Sequence, residues 1–424
     1  MHSALRASML TGLCLAGAAC GQDVPNSTLV AHSEFGRDID KLFDILFMGG
    51  AVVFVLVEVA LLYTIVRFRR REGGPEVRQV HGNAALEITW TLIPAVVLAF
   101  IAVPTVRTIF RTQAEAVPDA LQVEVIGHQW WWEFRYPQLG VTTANELYLP
   151  VGRTVNFALE TADVLHSFWI PAIAGKRDLI ANRTNYLWFT PDSGNVWNGF
   201  CAEFCGTSHA NMRFRVFTVT PEEFDTWVAH QKTGPAFPAG VAGAPPAGAA
   251  DTGRAGASVT AGEVATSTGE QTPAGESAEP PVATPVTSAS TGIYPLDRLP
   301  RHVVPRTPIP AGLTMSVTRG DAARGAQLYR ASPCIACHHI EGVSPGVVGP
   351  NLTHIGSRTT IGAGLYQNDF RHMALWLKNS PVMKPGSLMP AMGQGQRDPS
   401  GKPAMGAFTD QQIADITAYL LSLK

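Results

Sequence analysis

The chain has 424 residues, a formal net charge of −2 and charged residues at 16%. This length exceeds one ordinary domain, so two or more folded units are expected. The near-neutral charge gives no indication of nucleic-acid binding. The six cysteines are too few, and too specifically placed, to build a disulfide framework.

Residues 1–20 have the pattern of an export signal, because Arg6 precedes a small and apolar stretch that ends at Cys20. The residues before Cys20 are similar to a bacterial lipoprotein processing site, which would make Cys20 the lipidated first residue of the mature chain. Gly17 stands where that site usually has an aliphatic residue. The alternative is simple cleavage after a small residue, with Cys20 inert.

Residues 40–110 predict a transmembrane hairpin. Two apolar stretches, 46–66 and 88–106, have the length of about 20 residues that a helix needs to cross a bilayer. The Arg cluster at 67–71 places their short connection in the cytoplasm and both outer ends in the periplasm. Two buried core helices are the alternative, which the Arg cluster disfavours. Glu58 lies in the middle of the first span, where an ionisable side chain suggests a contact with another subunit.

Residues 115–232 predict a β domain, because apolar and polar residues alternate along much of 121–219. A sandwich or a barrel satisfies this pattern. A short helix is then predicted to begin at Pro221, with Thr220 as its N-cap and Glu223 completing a capping box.

Residues 233–300 predict a linker. From 238 to 292 there is no Leu, Ile, Met, Lys or aromatic residue, while Ala, Gly, Pro, Ser and Thr prevail. Such a segment buries too little apolar surface to offset its ordering entropy, so we expect it to be disordered.

Residues 315–424 predict a helical unit. One helix is expected from an Asn368 cap through Leu377, ending before Pro381. A last helix is framed by Thr409 and Gln412.

The β domain contains a cluster of soft donors. Cys201, Cys205, His209 and Met212 fall within twelve residues, and thiolate, imidazole and thioether together select copper. With His166 as a further imidazole, two coppers bridged by two thiolates would be complete. A disulfide, a mononuclear copper site and a zinc site are the alternatives, although the second Cys or the Met would then be idle.

The helical unit contains Cys334-x-x-Cys337-His338, the attachment pattern of a c-type haem. The two thiols would bind the porphyrin covalently and His338 would coordinate the iron. A redox dithiol or half of a zinc site is the alternative, which the following His and the exported context disfavour.

Residues 30–230 resemble subunit II of cytochrome c oxidase, whose copper A motif is Cys-x-Glu-x-Cys-x-x-x-His-x-x-Met with an upstream His. The resemblance implies a cupredoxin-like fold. It implies that the backbone carbonyl of Glu203 joins the copper ligands and that its carboxylate binds a magnesium or manganese ion shared with subunit I. The copper ligands implied are His166, Cys201, Glu203, Cys205, His209 and Met212.

Two more motifs carry this resemblance. In residues 127–132, Trp130 matches the tryptophan that receives electrons from cytochrome c, although a Trp run on a strand is more often ordinary core. In residues 87–94, Glu87 matches an acid at the mouth of a proton channel into subunit I. The alternative for Glu87 is a plain acid at the membrane surface.

The C-terminal unit resembles a class I cytochrome c. Residues 349–352 match its loop after the haem site, and residues 384–390 match its distal loop. The resemblance makes Met389 the sixth iron ligand, with Met383 and Met392 as rivals. A His–Met pair raises the haem potential and leaves no open position for oxygen.

Together these features predict a transmembrane hairpin, an all-β cupredoxin-like domain, a disordered linker and an all-α cytochrome c domain. By resemblance, the chain is an electron-entry subunit of a haem–copper oxidase in the bacterial inner membrane, with both redox domains in the periplasm. Electrons from a cytochrome c donor would pass through haem c and copper A to the haems and CuB of subunit I, with subunit III as a further partner. Oxygen reduction to water and proton pumping would follow in the complex.

Two alternative functions remain at this point: a copper A-containing nitric oxide reductase subunit, and a structural subunit II of the quinol-oxidase type. Members of the second group lack the copper ligands, whereas this chain keeps all of them.

The two redox units differ in charge. Residues 112–230 contain seven Arg or Lys and thirteen Asp or Glu, whereas residues 318–424 contain ten and six. Opposite fields favour docking, and a tether would raise the effective concentration to about millimolar. We therefore expect haem-to-copper transfer to slow with rising salt. The alternative is that the charges serve solubility only.

Overall fold

The computed structural model describes residues 26–69, 82–113, 117–235 and 292–424. The export signal with Cys14 and Cys20, the arginines Arg70 and Arg71, and most of the predicted linker lie outside these residues.

Two long helices form the N-terminal hairpin, α1 (Glu34–Arg67) and α2 (Ala84–Gln113). Both are long and apolar enough to cross a membrane, and the most apolar stretch of each is not buried within the chain. This exposure fits lipid contact rather than a soluble core, so the predicted pair of apolar helices is confirmed.

Both helices are longer than the predicted spans, and α1 begins twelve residues earlier. Its first turn is embedded in the β domain: Ser33 caps the helix and donates to the Ile173 carbonyl, 2.5 Å away. Glu34 accepts hydrogen bonds from the backbone and hydroxyl of Thr190, and Phe35 is buried in the domain core. These polar anchors explain the extension, which an apolar-run criterion does not detect. They hold the β domain directly on the membrane anchor.

The β domain consists of two five-stranded sheets, as the alternating pattern predicts. The strands are β1 (Leu121–His128), β2 (Trp131–Tyr136), β3 (Val141–Ala144), β4 (Glu146–Pro150), β5 (Val155–Thr161), β6 (His166–Ile170), β7 (Ala174–Leu179), β8 (Asn185–Phe189), β9 (Asn195–Cys201) and β10 (Arg213–Val219). One sheet has the order β3-β2-β1-β5-β8 and the other β4-β10-β9-β6-β7. Aromatic rings from both sheets fill the space between them, with Trp132 and Phe168 in an edge contact at 5.7 Å.

Helix α3 (Pro221–Gln231) follows the last strand of the β domain. Thr220 caps it and Glu223 completes the capping box, as predicted. Its Phe224 and Trp227 are buried against the sheet.

The C-terminal unit is helical, as predicted. Helix α4 (Ala322–Arg330) packs against the last helix α7 (Asp410–Ser422), and the one-turn α5 (Cys334–Cys337) and α6 (Phe370–Met383) lie between them in sequence. Two short hairpins interrupt the helices: β11 (His339–Ile340) with β12 (Ser344–Pro345), and β13 (Thr360–Ile361) with β14 (Tyr366–Gln367). The capping box of Thr409 and Gln412 on α7 is confirmed.

The expected start of the preceding helix was wrong by one residue, whereas its expected end is confirmed. Asp369, not Asn368, caps α6 by accepting from the His372 amide. Asn368 instead donates to the carbonyls of Ile355 and Arg358. The first segment of α6 ends before Pro381, as predicted, because Asn379 has non-helical backbone angles; Pro381 lies in the second, short segment that follows it.

Candidate redox sites and family

The two thiols of the β domain meet at one end of the second sheet. Cys201 ends β9 and Cys205 lies in the loop that follows. Their sulfurs are 3.7 Å apart and both cysteines are free, whereas a disulfide bond is about 2.05 Å long. The hydrogen bond between the two thiols, assisted by His166, lowers the pKa of Cys201. The same bond, together with burial, raises the pKa of Cys205.

Each thiol has its own pair of neighbours. Cys201 Sγ lies 3.8 Å from His166 Nδ1 and 3.2 Å from the Glu203 carbonyl oxygen. Strands β6 and β9 are antiparallel neighbours with Phe168 opposite Cys201, which brings the start of β6 to the end of β9. His166 is fully buried there. Sequence-distant donors therefore converge through strand pairing.

The other half of the cluster forms around Cys205. Its Sγ lies 3.6 Å from His209 Nδ1 and 3.8 Å from Met212 Sδ. A 3-10 turn at His209–Asn211 carries the imidazole, and the amide of Cys201 donates to the Met212 carbonyl, which closes the loop. The donors fall into two similar halves joined at the thiols.

Asp163 fixes the ring of His166. Its carboxylate accepts from His166 Nε2 at 2.8 Å and from the amides of Val164 and Gln129. Burial raises the pKa of Asp163, but these hydrogen bonds outweigh it and lower the pKa overall. Because the ionised carboxylate only accepts, Nε2 carries a hydrogen, and Nδ1 is the ring nitrogen that faces Cys201 and could bind a metal.

Trp130 directly contacts the loop between Cys201 and Met212, which is named the copper loop. Its indole Nε1 and the side-chain amide of Gln129 both donate to the Cys205 carbonyl, at 3.0 and 2.7 Å. Trp132 is fully buried in the core, whereas Trp130 and Trp131 are half-buried. The three tryptophans thus divide between core and periphery: Trp130 lies in the turn before β2, and Trp131 and Trp132 point to opposite faces of that strand.

In the C-terminal unit, α5 presents Cys334, Cys337 and His338 on one turn. His338 Nδ1 lies 2.9 Å from the Pro350 carbonyl oxygen, which can only accept, so Nε2 is left with its lone pair. Burial lowers the pKa of His338 and so favours its neutral form. A Cβ at Gly349 would lie 2.6 Å from the His338 ring, so only glycine fits beside it. This arrangement suits an axial iron ligand.

The three candidate methionines differ in burial. Met383 and Met392 are buried at 3% and 4% exposure, whereas Met389 is half-buried on the distal loop. Ser380 holds this loop by donating to the Met389 carbonyl at 2.7 Å. Met389 is therefore the least buried of the three candidates.

Glu87 lies far from both clusters in the chain, in the first turn of α2, and is exposed. Its carboxylate accepts from the Asn83 amide at 3.3 Å, while Asn83 Oδ1 accepts from the amides of Ala85 and Leu86. Among the described residues, the carboxylate of Glu87 therefore helps Asn83 to cap the start of α2.

Sequence reasoning missed four side chains that position these sites or connect the two units that carry them. Their contacts span long sequence distances, although the position of Asp163 three residues before His166 was a detectable signal. The four are Gln129, Glu146, Asp163 and Lys384.

The fold and the two clusters define a membrane-anchored protein with a cupredoxin-like domain and a c-type cytochrome domain. Comparison with known families gives the same division. The transmembrane domain of cytochrome c oxidase subunit II matches residues 28–108, its periplasmic domain matches 138–219, and cytochrome c matches 322–424.

Individual relatives support this match. Cytochrome c oxidase subunit 2 of Alkalihalophilus pseudofirmus is 30% identical over 381 residues, covering 88% of this chain and 84% of that one. The Bacillus subtilis protein of the same name is 29% identical, covering 84% and 83%. The periplasmic domain of cytochrome oxidase subunit II from Bradyrhizobium japonicum, a solved structure, is 31% identical and covers 28% of this chain and 97% of that one, with a TM-score of 0.27.

The chain belongs to the cytochrome c oxidase subunit II family and carries a C-terminal cytochrome c domain. It is thus a subunit of an oxidase complex, with partner subunits and a membrane anchor. The two matched domains imply copper A and haem c as its cofactors.

Proposed function

We propose that this chain is the electron-entry subunit of a haem–copper oxidase in the bacterial inner membrane, with both redox domains in the periplasm. The observation that carries the proposal is the pair of free thiols 3.7 Å apart, each with its own soft donors. When bound, the cofactors supply a one-electron path from a cytochrome c donor through haem c and copper A to the haems and CuB of subunit I. Oxygen reduction to water and proton pumping belong to the complex with subunits I and III.

The donor set fits a binuclear copper centre. Both sulfurs are central, and each has an imidazole and one further neighbour on its own side, the Glu203 carbonyl for Cys201 and Met212 for Cys205. Thiolate, imidazole and thioether together are the ligands that select copper. The proposed ligands are His166, Cys201, Glu203 through its carbonyl, Cys205, His209 and Met212.

The same fit holds for haem c. Cys334 and Cys337 would form the thioether bonds, His338 would bind the iron through the nitrogen that Pro350 leaves free, and Met389 would supply a second iron ligand. A haem held by this His–Met pair would transfer electrons and would leave no position for oxygen.

Three further roles complete the proposal. Trp130 would conduct electrons toward copper, which its hydrogen bond to the Cys205 carbonyl supports. The Glu203 carboxylate would bind magnesium or manganese at the boundary with subunit I, since a carboxylate suits such hard cations. Glu87 would stand at a proton-channel mouth, which its exposure at the start of α2 supports.

The test is to purify the oxidase complex and measure its copper, its covalent haem and its visible and near-infrared spectrum. We expect a c-type band pattern together with the band of a mixed-valence copper pair. Failure of copper to bind while Cys201 and Cys205 are both free thiols would overturn the proposal. A complex that oxidises quinol with no copper in this subunit would point to the scaffold function instead.

A further inference from the structure

The distal loop of the C-terminal helical unit (the cytochrome unit) contacts Trp130, in the turn between β1 and β2 of the β domain (the copper domain). Lys384 Nζ donates to the Trp130 carbonyl at 2.5 Å and to the Gly362 carbonyl at 3.3 Å, and only 3% of this residue is exposed. A Cβ at Gly386 would lie 2.9 Å from the Trp130 ring. The hydroxyl of Ser208, next to the proposed ligand His209, donates to the Pro385 carbonyl. The distal loop, which carries Met389, and the copper loop are therefore in contact.

A second contact between the units centres on Glu146, the first residue of β4. Its Oε1 accepts from the Thr359 amide at 2.8 Å, from the Thr359 hydroxyl at 2.6 Å and from the Thr360 amide at 3.1 Å. Glu146 is only 2% exposed, and these donors lie more than 200 residues away in the cytochrome unit. The copper domain supplies the carboxylate and the cytochrome unit supplies the donors.

Basic side chains from both units face this carboxylate. Arg215 of β10 is 4% exposed and also donates to the Gly364 carbonyl of the cytochrome unit at 3.4 Å. Arg358 precedes the two threonines and attracts the carboxylate electrostatically. Burial raises the pKa of Glu146, while the hydrogen bonds from Thr359 and the charge of Arg358 act in the opposite direction.

A carboxylate at this burial is costly unless donors neutralise it. Among the described residues, the hydrogen bonds to the Glu146 carboxylate come from Thr359 and Thr360 of the cytochrome unit. The fit is directional, because amides and a hydroxyl from one turn converge on a single oxygen. Long-range attraction between oppositely charged domains does not by itself select one orientation, whereas such a contact does.

We propose that Glu146 anchors the cytochrome unit to the copper domain through the Thr359–Thr360 turn, and thereby holds the distal loop on Trp130. Glu146 is a positioning residue: it lies outside both proposed cofactor sites and acts through the orientation of the cytochrome unit. The inference rests on the proposed function only in that the fixed orientation serves haem-to-copper transfer.

The test uses the complete oxidase complex and two readouts. The first is hydrogen exchange of the Thr359 and Thr360 amides, and the second is the rate at which an electron placed on haem c reaches copper. In Glu146→Ala we expect the two amides to exchange roughly tenfold to a hundredfold faster, because their buried hydrogen-bond acceptor is lost. Transfer should also slow, while both cofactor spectra stay unchanged. Glu146→Gln keeps an acceptor oxygen and should restore part of both effects.

Two further variants decide the interpretation. Glu222→Ala removes an exposed acid of the same domain and should match the unaltered protein in both readouts. Thr359→Ala removes one donor from the cytochrome side and should reproduce the slower transfer in part, which keeps the test decisive if Glu146→Ala does not fold. Unchanged exchange and unchanged transfer in Glu146→Ala, with normal spectra, would overturn the anchor and leave the proposed function intact. Absence of copper from the unaltered chain would overturn the proposed function, and the exchange readout would still test the anchor.

Discussion

The two redox regions of this chain are built in different ways. In the copper domain, paired strands and one short loop bring the proposed donors together, and the two thiols already lie 3.7 Å apart. In the cytochrome unit, Cys334, Cys337 and His338 share one turn, but Met389 comes from a loop some fifty residues later. That loop contacts Trp130 and Ser208 of the other domain.

This difference shows which contacts hold the proposed ligands of each region in place. The copper site is held by strand pairing and by the hydrogen bond from His166 to Asp163. The distal side of the haem region contacts the other domain through Lys384 and Trp130. Substitutions should therefore act locally in the first region and through docking in the second.

The largest expected effect separates the two regions completely. Cys201→Ser replaces a soft bridging thiolate with a hard hydroxyl, so the copper band should disappear while the c-type spectrum remains. Cys337→Ser is the matched variant and should weaken covalent haem attachment without loss of the copper band. Copper and iron analysis with both spectra checks the pair. Loss of both cofactors in either variant, with the chain still folded, would contradict independent sites.

The second prediction concerns the axial methionine. Met389→Leu should remove the sulfur ligand and lower the haem potential, since His–Met ligation raises it. Met392→Leu is a volume-conserving change in the core and should cost less than about 1.5 kcal/mol of stability with no spectral change. A redox titration and thermal unfolding distinguish the two. A normal potential in Met389→Leu would exclude Met389 as the ligand.

The third prediction tests preorganisation of the copper site. Asp163→Asn keeps the shape of the side chain but loses the charge that holds His166 in one tautomer. Substitutions of this kind lower metal affinity by roughly 10- to 100-fold, and we expect copper affinity to fall within this range while haem is unaffected. Competition with a copper chelator measures it. Glu160→Gln, an exposed acid on the neighbouring sheet, is the control and should bind copper normally.

The smallest expected effect concerns pH and the contact between the domains. The rings of His230 on α3 and His354 in the cytochrome unit lie 4.9 Å apart. Burial lowers the pKa of both from 6.5, assisted by His354 for the first and by Arg358 for the second. Both are therefore neutral when docked, so docking is fully supported above pH 6.5 and weakens as the pH falls below it.

Haem-to-copper transfer should slow roughly two- to fivefold on acidification through this window. Burial raises the pKa of Glu146, so its protonation favours docking as the pH falls and opposes the effect of the two histidines. Comparing the transfer rate of the unaltered protein with that of His354→Asn isolates the contribution of the histidine pair. The transfer rate of the variant should depend less on pH. An identical pH profile in both proteins would exclude the pair.

The salt dependence expected from the opposite charges of the two domains stays a prediction. Because Glu146 and Lys384 are buried, screening should act mainly on approach and less on the docked state. Salt should therefore slow transfer more steeply in Glu146→Ala than in the unaltered protein. A transfer rate independent of salt in both would remove charge from the account of docking.

Local patterns were predictable from the sequence, and long-range contacts were not. The twelve-residue copper loop, the haem turn and the capping box at Thr220 all depend on residues close together in the chain. Asp369 was missed as a cap because Asn368 beside it is an equally good capping residue. Glu146 and Lys384 were missed because their partners lie more than 200 residues away, and no local pattern records such a contact.

The central claim is that electrons reach copper through the cytochrome unit of the same chain. The most direct measurement is to inject one electron into haem c of the assembled oxidase with a photoactivated reductant and follow both spectra in time. We predict that haem c reoxidation and reduction of the copper band occur together, before subunit I is reduced, and that Cys201→Ser abolishes the transfer. Equally fast reduction of subunit I in Cys201→Ser would contradict this account.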